Sequence, residues 1–150
     1  MKPLIVLILV FLVSVFTLKF LTNQYDIPMA ARIAMCVMLC FTAIAHFVFT
    51  KGMVMMIPEK IPFRTELVYA TGIIEVILGI CLLISSTKVY SGWILIIFFI
   101  FLLPANIYAA IKHIDYQKGT YNGNGTSYLW FRIPLQIVFI VWTFWCAVLY

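Results

Sequence analysis

The chain has 150 residues, of which 65% are hydrophobic and only 10% charged, with a mean hydropathy of +1.13. Soluble domains carry roughly a quarter charged residues, so this composition excludes a water-facing surface and indicates one integral membrane domain, residues 1–150. The net charge of +5 does not support nucleic-acid binding, because the basic residues are scattered singly at helix ends, a pattern that suits membrane orientation and anionic headgroups.

Five apolar spans follow, each of about 20 residues, the length a bilayer requires. The first runs from Pro3 to Phe20. Its single N-terminal Lys and apolar core have the outline of a signal peptide, but the core is longer than a signal h-region. No A-x-A cleavage pattern follows before Asn23, which favours a retained helix. The second span covers Met29 to Phe49, the third Thr65 to Ile84, the fourth Val89 to Ile111 and the fifth Tyr128 to Tyr150. This is an all-α integral membrane fold with no linker, no internal repeat and no soluble domain. Cys36, Cys40, Cys81 and Cys146 form no C-x-x-C and no zinc-type set with histidine, so they read as packing residues, with a disulfide pair left open.

Two connections stand out. Lys51 to Arg64 (KGMVMMIPEKIPFR) is too apolar for a water-facing loop, and Pro58 and Pro62 prevent a regular helix through it. It reads either as an interfacial or shallow re-entrant cap on the helices or as a lipid-immersed connector. Gln117 to Ser127 is rich in glycine and asparagine and reads as a mobile loop. Lys2, Lys51, Lys60, Arg64, Lys112, Lys118 and Arg132 fall on one side of the membrane, and Lys19, Arg32 and Lys88 on the other. That asymmetry places the N-terminus in the cytoplasm and the C-terminus outside, which suits a bacterial inner membrane. The Asn124-Gly125-Thr126 sequon then faces the cytoplasm and is inert.

Five strongly polar residues sit in or at the ends of these spans: His46, Glu75, Asn106, Arg132 and Gln136. A rise of about 1.5 Å per residue puts Glu75 roughly 15 Å into the third span and all five in the cytoplasmic half of the bilayer. Helical phase agrees. Thr42, His46 and Thr50 share one stripe; Gly72, Glu75 and Gly79 share another, with Thr71 one turn before Glu75; Arg132, Gln136 and Thr143 run along a third. The glycines admit either a neighbouring backbone or a flat ligand beside the carboxylate. Pro104 frees a carbonyl that needs a partner and opens space beside Asn106.

The ordered motifs His46-Phe47, Ile57-Pro58…Ile61-Pro62, Gly72-x-x-Glu75, Pro104-Ala105-Asn106-Ile107-Tyr108, Arg132-Ile133-Pro134-Leu135-Gln136 and Trp142 resemble the DoxX-like family of small membrane proteins over Arg32 to Tyr150. The resemblance implies a four-helix transmembrane bundle, residues 29–150, here preceded by an extra N-terminal helix and loop, residues 1–28. It also implies a link to quinone-dependent oxidoreductases, with quinone as a cofactor and a membrane or peripheral redox partner. The paired cysteines of thiol-handling relatives are missing, which argues against dithiol exchange.

Each polar group has a functional and a structural reading. Glu75 is either a proton-exchanging or ligand-binding carboxylate, or a structural group that is protonated or paired with Arg132 or His46. His46 is a proton relay, a haem ligand or a hydrogen-bonded helix-end residue. Asn106 and Gln136 serve as interhelical hydrogen-bond partners or ligand contacts. Arg132 snorkels to phosphates or holds an anionic or quinone-like headgroup. No hydrolytic triad, phosphate loop or metal-binding motif is present, so autonomous catalysis is unsupported. Three functions remain: a binding or accessory subunit with a pocket for a quinone-like or lipid-type molecule, a small proton-coupled transporter working as an oligomer, and a purely structural assembly factor.

Overall fold

The structure, a computed structural model, describes residues 2–150; Met1, the first residue of the expected domain, lies outside the described residues. Among these it is all-helical. The helices are α1 (Lys2–Thr22), α2 (Ile27–Val48), α3 (Thr50–Met55), α4 (Arg64–Cys81), α5 (Lys88–Ile111) and α6 (Ser127–Thr143), the last continuing as a π-helical segment, Phe144–Leu149. Four are long and apolar enough to cross a membrane: α1, α2, α5, and α6 with its continuation. Helix α4 is not among them, because its 18 residues include Arg64, Glu66 and Glu75.

Helix α1 is apolar on every side, as a lipid-facing helix is. Its buried residues, Leu7 and Ser14, meet α2, where Ala30, Ala31 and Ala34 are fully buried and allow close approach of the backbones. The turn between them is short. Asn23 takes a left-handed conformation (φ 54°), and the Asp26 carboxylate caps α2 by accepting from the Met29 amide at 2.9 Å, with Pro28 in the first turn. Helix α2 also packs along α4, and α5 packs along α6. Trp142 ties these groups together. Its indole donates to the Ala31 carbonyl at 3.1 Å and meets Phe11 edge-on at 5.1 Å. Helix α4 stops at Cys81 rather than running to Ile84, because the chain turns there and the Thr87 hydroxyl donates to the Cys81 carbonyl at 2.8 Å.

The connection between α2 and α4 corrects the expectation of no regular helix from Lys51 to Arg64. Its first half is helical, as α3, and only the part from Ile57 onward is not. Proline restricts itself and the residue before it, so Pro58 and Pro62 leave Thr50–Met55 free to coil. The α5–α6 connection is the other one singled out. It opens in a hydrogen-bonded turn, with the Asp115 carboxylate accepting from the Gln117 and Lys118 amides at 3.0 and 3.2 Å and a bridge joining Asp115 to Thr120. Tyr116 then packs edge-on against Phe49. These two connections meet over the end of the helices that carries most of the basic residues.

Candidate functional site: a cavity with two polar networks

Between the α2–α4 pair and the α5–α6 pair lies a cavity of about 700 Å³. All five residues expected at a site, His46, Glu75, Asn106, Arg132 and Gln136, line it. The rest of the wall is largely apolar, including Phe99, Leu135 and Phe139. The cavity volume falls within the range of about 300–1,000 Å³ typical of small-molecule sites. The five residues separate into two networks.

The first network joins α2 to α4. Glu75 is buried, 4% exposed, and its Oε1 lies 3.5 Å from His46 Nε2, the one ion pair among the described residues. Its Oε2 accepts from the Thr42 hydroxyl at 2.8 Å. The Thr42 proton has a second acceptor, the Leu39 carbonyl at 2.9 Å, so the hydroxyl can turn between helix backbone and carboxylate. His46 Nδ1 lies 2.9 Å from the Val68 carbonyl. A carbonyl can only accept, so Nδ1 carries a proton and Nε2 is the atom that changes state. Nε2 faces the carboxylate, so a basic ring stands beside the buried acid. This is the low-cost way to hold a carboxylate in an apolar setting. Both ring nitrogens are engaged, which leaves neither free for haem iron. Thr71 supports the ring from 3.1 Å. Thr50 does not join the stripe, because α2 ends at Val48 and the Thr50 hydroxyl donates to the His46 carbonyl instead.

The second network joins α5 to α6. Arg132 Nε donates to Asn106 Oδ1 at 3.2 Å, so the Arg132–Glu75 pairing is not formed. Asn106 Nδ2 donates to the Leu102 carbonyl at 3.0 Å and lies 3.5 Å from Gln136 Oε1. Gln136 Nε2 donates to the Phe99 carbonyl at 2.6 Å. Pro104 cannot pair with the Ile100 carbonyl, and the side-chain donor in this turn goes one residue earlier, to Phe99. The network thus donates to two α5 carbonyls, those of Phe99 and Leu102, and not to the Ile100 carbonyl that Pro104 frees.

The glycines of α4 admit helix α2 beside the carboxylate. A Cβ at Gly72 would come within 2.9 Å of His46 Cβ, while one at Gly79 would stand 3.4 Å from Cys36 Cα. Gly72→Ala is expected to push His46 away from Glu75 and to lower stability by about 1–3 kcal/mol, the usual cost of overpacking. Gly79→Ala, in ordinary contact, should be near neutral. Thermal unfolding of both variants in a mild detergent checks the contrast; equal transitions would mean that His46 moves aside freely.

Several wall residues had no sequence signal. Lys2 and Pro3 of α1, Met53 of α3 and Tyr116 of the last loop reach the cavity only through the way the connections fold over it. Arg32, expected as an orientation charge at a helix end, is instead buried at 8% exposure, and its Nε has no hydrogen-bond partner among the described residues. The signal was available, because Arg32 is in phase with the buried Cys36, Leu39 and Ala43. The four cysteines are free thiols.

Residues 35–147 match the family described as "Domain of unknown function (DUF8561)". The chain belongs to the DUF8561 family. The DUF8561 match contains all five polar residues of the cavity and begins within α2, so α1 and Arg32 lie outside it. Comparison with curated proteins and with solved structures returned no match.

Proposed function

We propose that this DUF8561 protein is a DoxX-like accessory or binding subunit whose intramembrane cavity takes a quinone-like or lipid-type small molecule, in association with a membrane or peripheral redox partner. The observation that carries this reading is the His46–Glu75 acid–base pair in the wall of a 700 Å³, largely apolar cavity. Such a pair can give one proton to, or take one from, a carbonyl or hydroxyl group of a bound molecule, its own net charge changing by one unit until the proton is replaced or released. Phe41, Ile44 and Phe101 line the cavity and are also 40–76% exposed on the outer surface of the helices, so an apolar ligand can arrive from the bilayer.

In this reading α4 is a fifth span, its one mid-helix acid paired with His46, and a four-helix core of residues 29–150 is preceded by α1. The packing of Leu7 and Ser14 against α2 supports retention of α1. The protein lies in a bacterial inner membrane with its N-terminus inside and C-terminus outside. Lys51, Lys60, Arg64, Lys112 and Lys118 gather at the end where the cavity opens, in keeping with that orientation.

The test is extraction. Protein purified in mild detergent should release an enriched quinone-type or lipid-type molecule, and Glu75→Gln should lose most of it. No enriched molecule from either protein, with or without co-purifying partners, would end the pocket reading. The buried acid and the proline inside α5 also favour a second reading, a proton-coupled carrier. Reconstituted vesicles with no Glu75-dependent proton flux would exclude it.

A further inference from the structure

Beside the cavity lies a second, more polar chamber of about 580 Å³. The two share Lys2, Pro3, Tyr116, Gln117 and Arg132, so the polar chamber forms a mouth against the basic end of the apolar one. The mouth lies where α1 and α6 begin. Its charged residues, Lys2 and Arg132, are both basic, and among the described residues no acidic one lines it. Arg132 has no carboxylate partner, since Glu75, the acid of the inner cavity, is taken by His46. Its Nε is anchored on Asn106, and its guanidinium lies 5.8 Å from the Tyr128 ring. That holds the side chain in place while the two Nη groups keep four N–H donors for another acceptor. Tyr128, whose ring lies beside that guanidinium, lines the same mouth.

Two cations without an acid define an anion site, and both also line the apolar inner cavity. We infer that the cavity takes a single-chain amphiphile with an anionic head, a phosphate or a carboxylate, bound between Lys2 and Arg132, with its hydrocarbon tail in the inner chamber. The inference rests on the cavity being a ligand site and selects the lipid-type ligand over the uncharged quinone. With the mouth on the basic side of the protein, the head sits at the depth of the cytoplasmic headgroups, and the tail leaves the lipid phase for the protein.

Binding of hexadecyl phosphate, palmitate and hexadecanol to the full chain in an uncharged detergent, read by native mass spectrometry, tests this directly. The two anionic probes are expected to bind about tenfold or more tightly than hexadecanol, the factor for a hydrogen bond to a charged group. Combining Lys2→Gln with Arg132→Gln should abolish that preference, and Arg132→Lys should keep most of it, which separates lost charge from lost folding. Ala45→Phe, which fills the inner chamber, should weaken all three probes. A tighter fit of palmitate identifies a fatty-acid ligand and a tighter fit of hexadecyl phosphate a phospholipid-type one. Hexadecanol binding as tightly as the anionic probes would overturn the headgroup inference while leaving the cavity reading intact. Inorganic phosphate displacing hexadecyl phosphate at equal concentration would overturn the amphiphile. Failure of all three probes and of decylubiquinone to bind in an Ala45-dependent way would remove the cavity reading itself.

Discussion

Glu75→Ala is expected to destabilise the protein by about 3 kcal/mol, the low end of the cost of removing one partner of a buried ion pair. Two effects set that size. An interhelical hydrogen bond in a membrane contributes only about 0.6–2 kcal/mol, so loss of the Thr42 contact alone would be a small change. Leaving His46 buried with a proton and no partner would cost far more, but Nε2 can release its proton once the carboxylate has gone, which holds the loss near the lower bound. His46→Ala should cost a similar amount, because Glu75 then keeps only Thr42. The double variant is expected to lose well under the sum of the two, with a coupling of about 1–3 kcal/mol, since the second substitution removes a group already stranded by the first. Unfolding of the four proteins by heat or by denaturing detergent measures the cycle. Strict additivity would show that His46 and Glu75 are not energetically coupled.

Gly52→Ala should be at least as damaging, at about 3 kcal/mol, the upper end of overpacking costs. A Cβ at Gly52 would overlap the carbonyl of Tyr116, along with its C and Cα. These are backbone atoms of a turn held by Asp115 N–H to the Thr120 carbonyl and Gly119 N–H to the Asp115 carbonyl, both at 2.8 Å. No side chain can swing away. Either α3 lifts off or the turn opens, and both line the cavity, through Met53 and Tyr116. The expected signature is a lower thermal transition together with new protease sensitivity between His113 and Gly125 and faster amide exchange at Asp115 and Gly119. A neighbouring exposed change, Lys51→Ala, should alter none of these. Unchanged protection in Gly52→Ala would mean that α3 and the loop do not pack together in the membrane.

The helices themselves were legible because their cause is local. Runs of about 20 apolar residues have few alternatives in a bilayer, and the breaks at Asn23 to Asp26, Pro58 to Phe63, and Gln117 to Thr126 are written in turn-forming residues. Depth along a helix follows from a fixed rise, so His46, Glu75, Asn106, Arg132 and Gln136 were expected at similar levels, and one cavity receives all five. The burial of Gly72, Glu75 and Gly79 on one face of α4 was legible in the same way, from period alone.

Pairing was not legible, because period fixes a face and leaves open which helix that face meets. Arg132 and Glu75 have opposite charges and similar depth, yet Arg132 bonds Asn106 on α5 while Glu75 meets His46 on α2. Gly72 draws α2 against α4 closely enough for that contact, and α5 with α6 forms the other wall. The contribution of Lys2 from the start of α1 and of Tyr116 from a loop depends on contacts between segments distant in sequence, which carry no periodic signal. The residue types and the helical period thus determine that the polar groups exist, how deep they lie and which way they turn. The packing of α2 on α4 and of α5 on α6 decides that they form two networks around an open space, because only three-dimensional contact selects among several chemically acceptable partners.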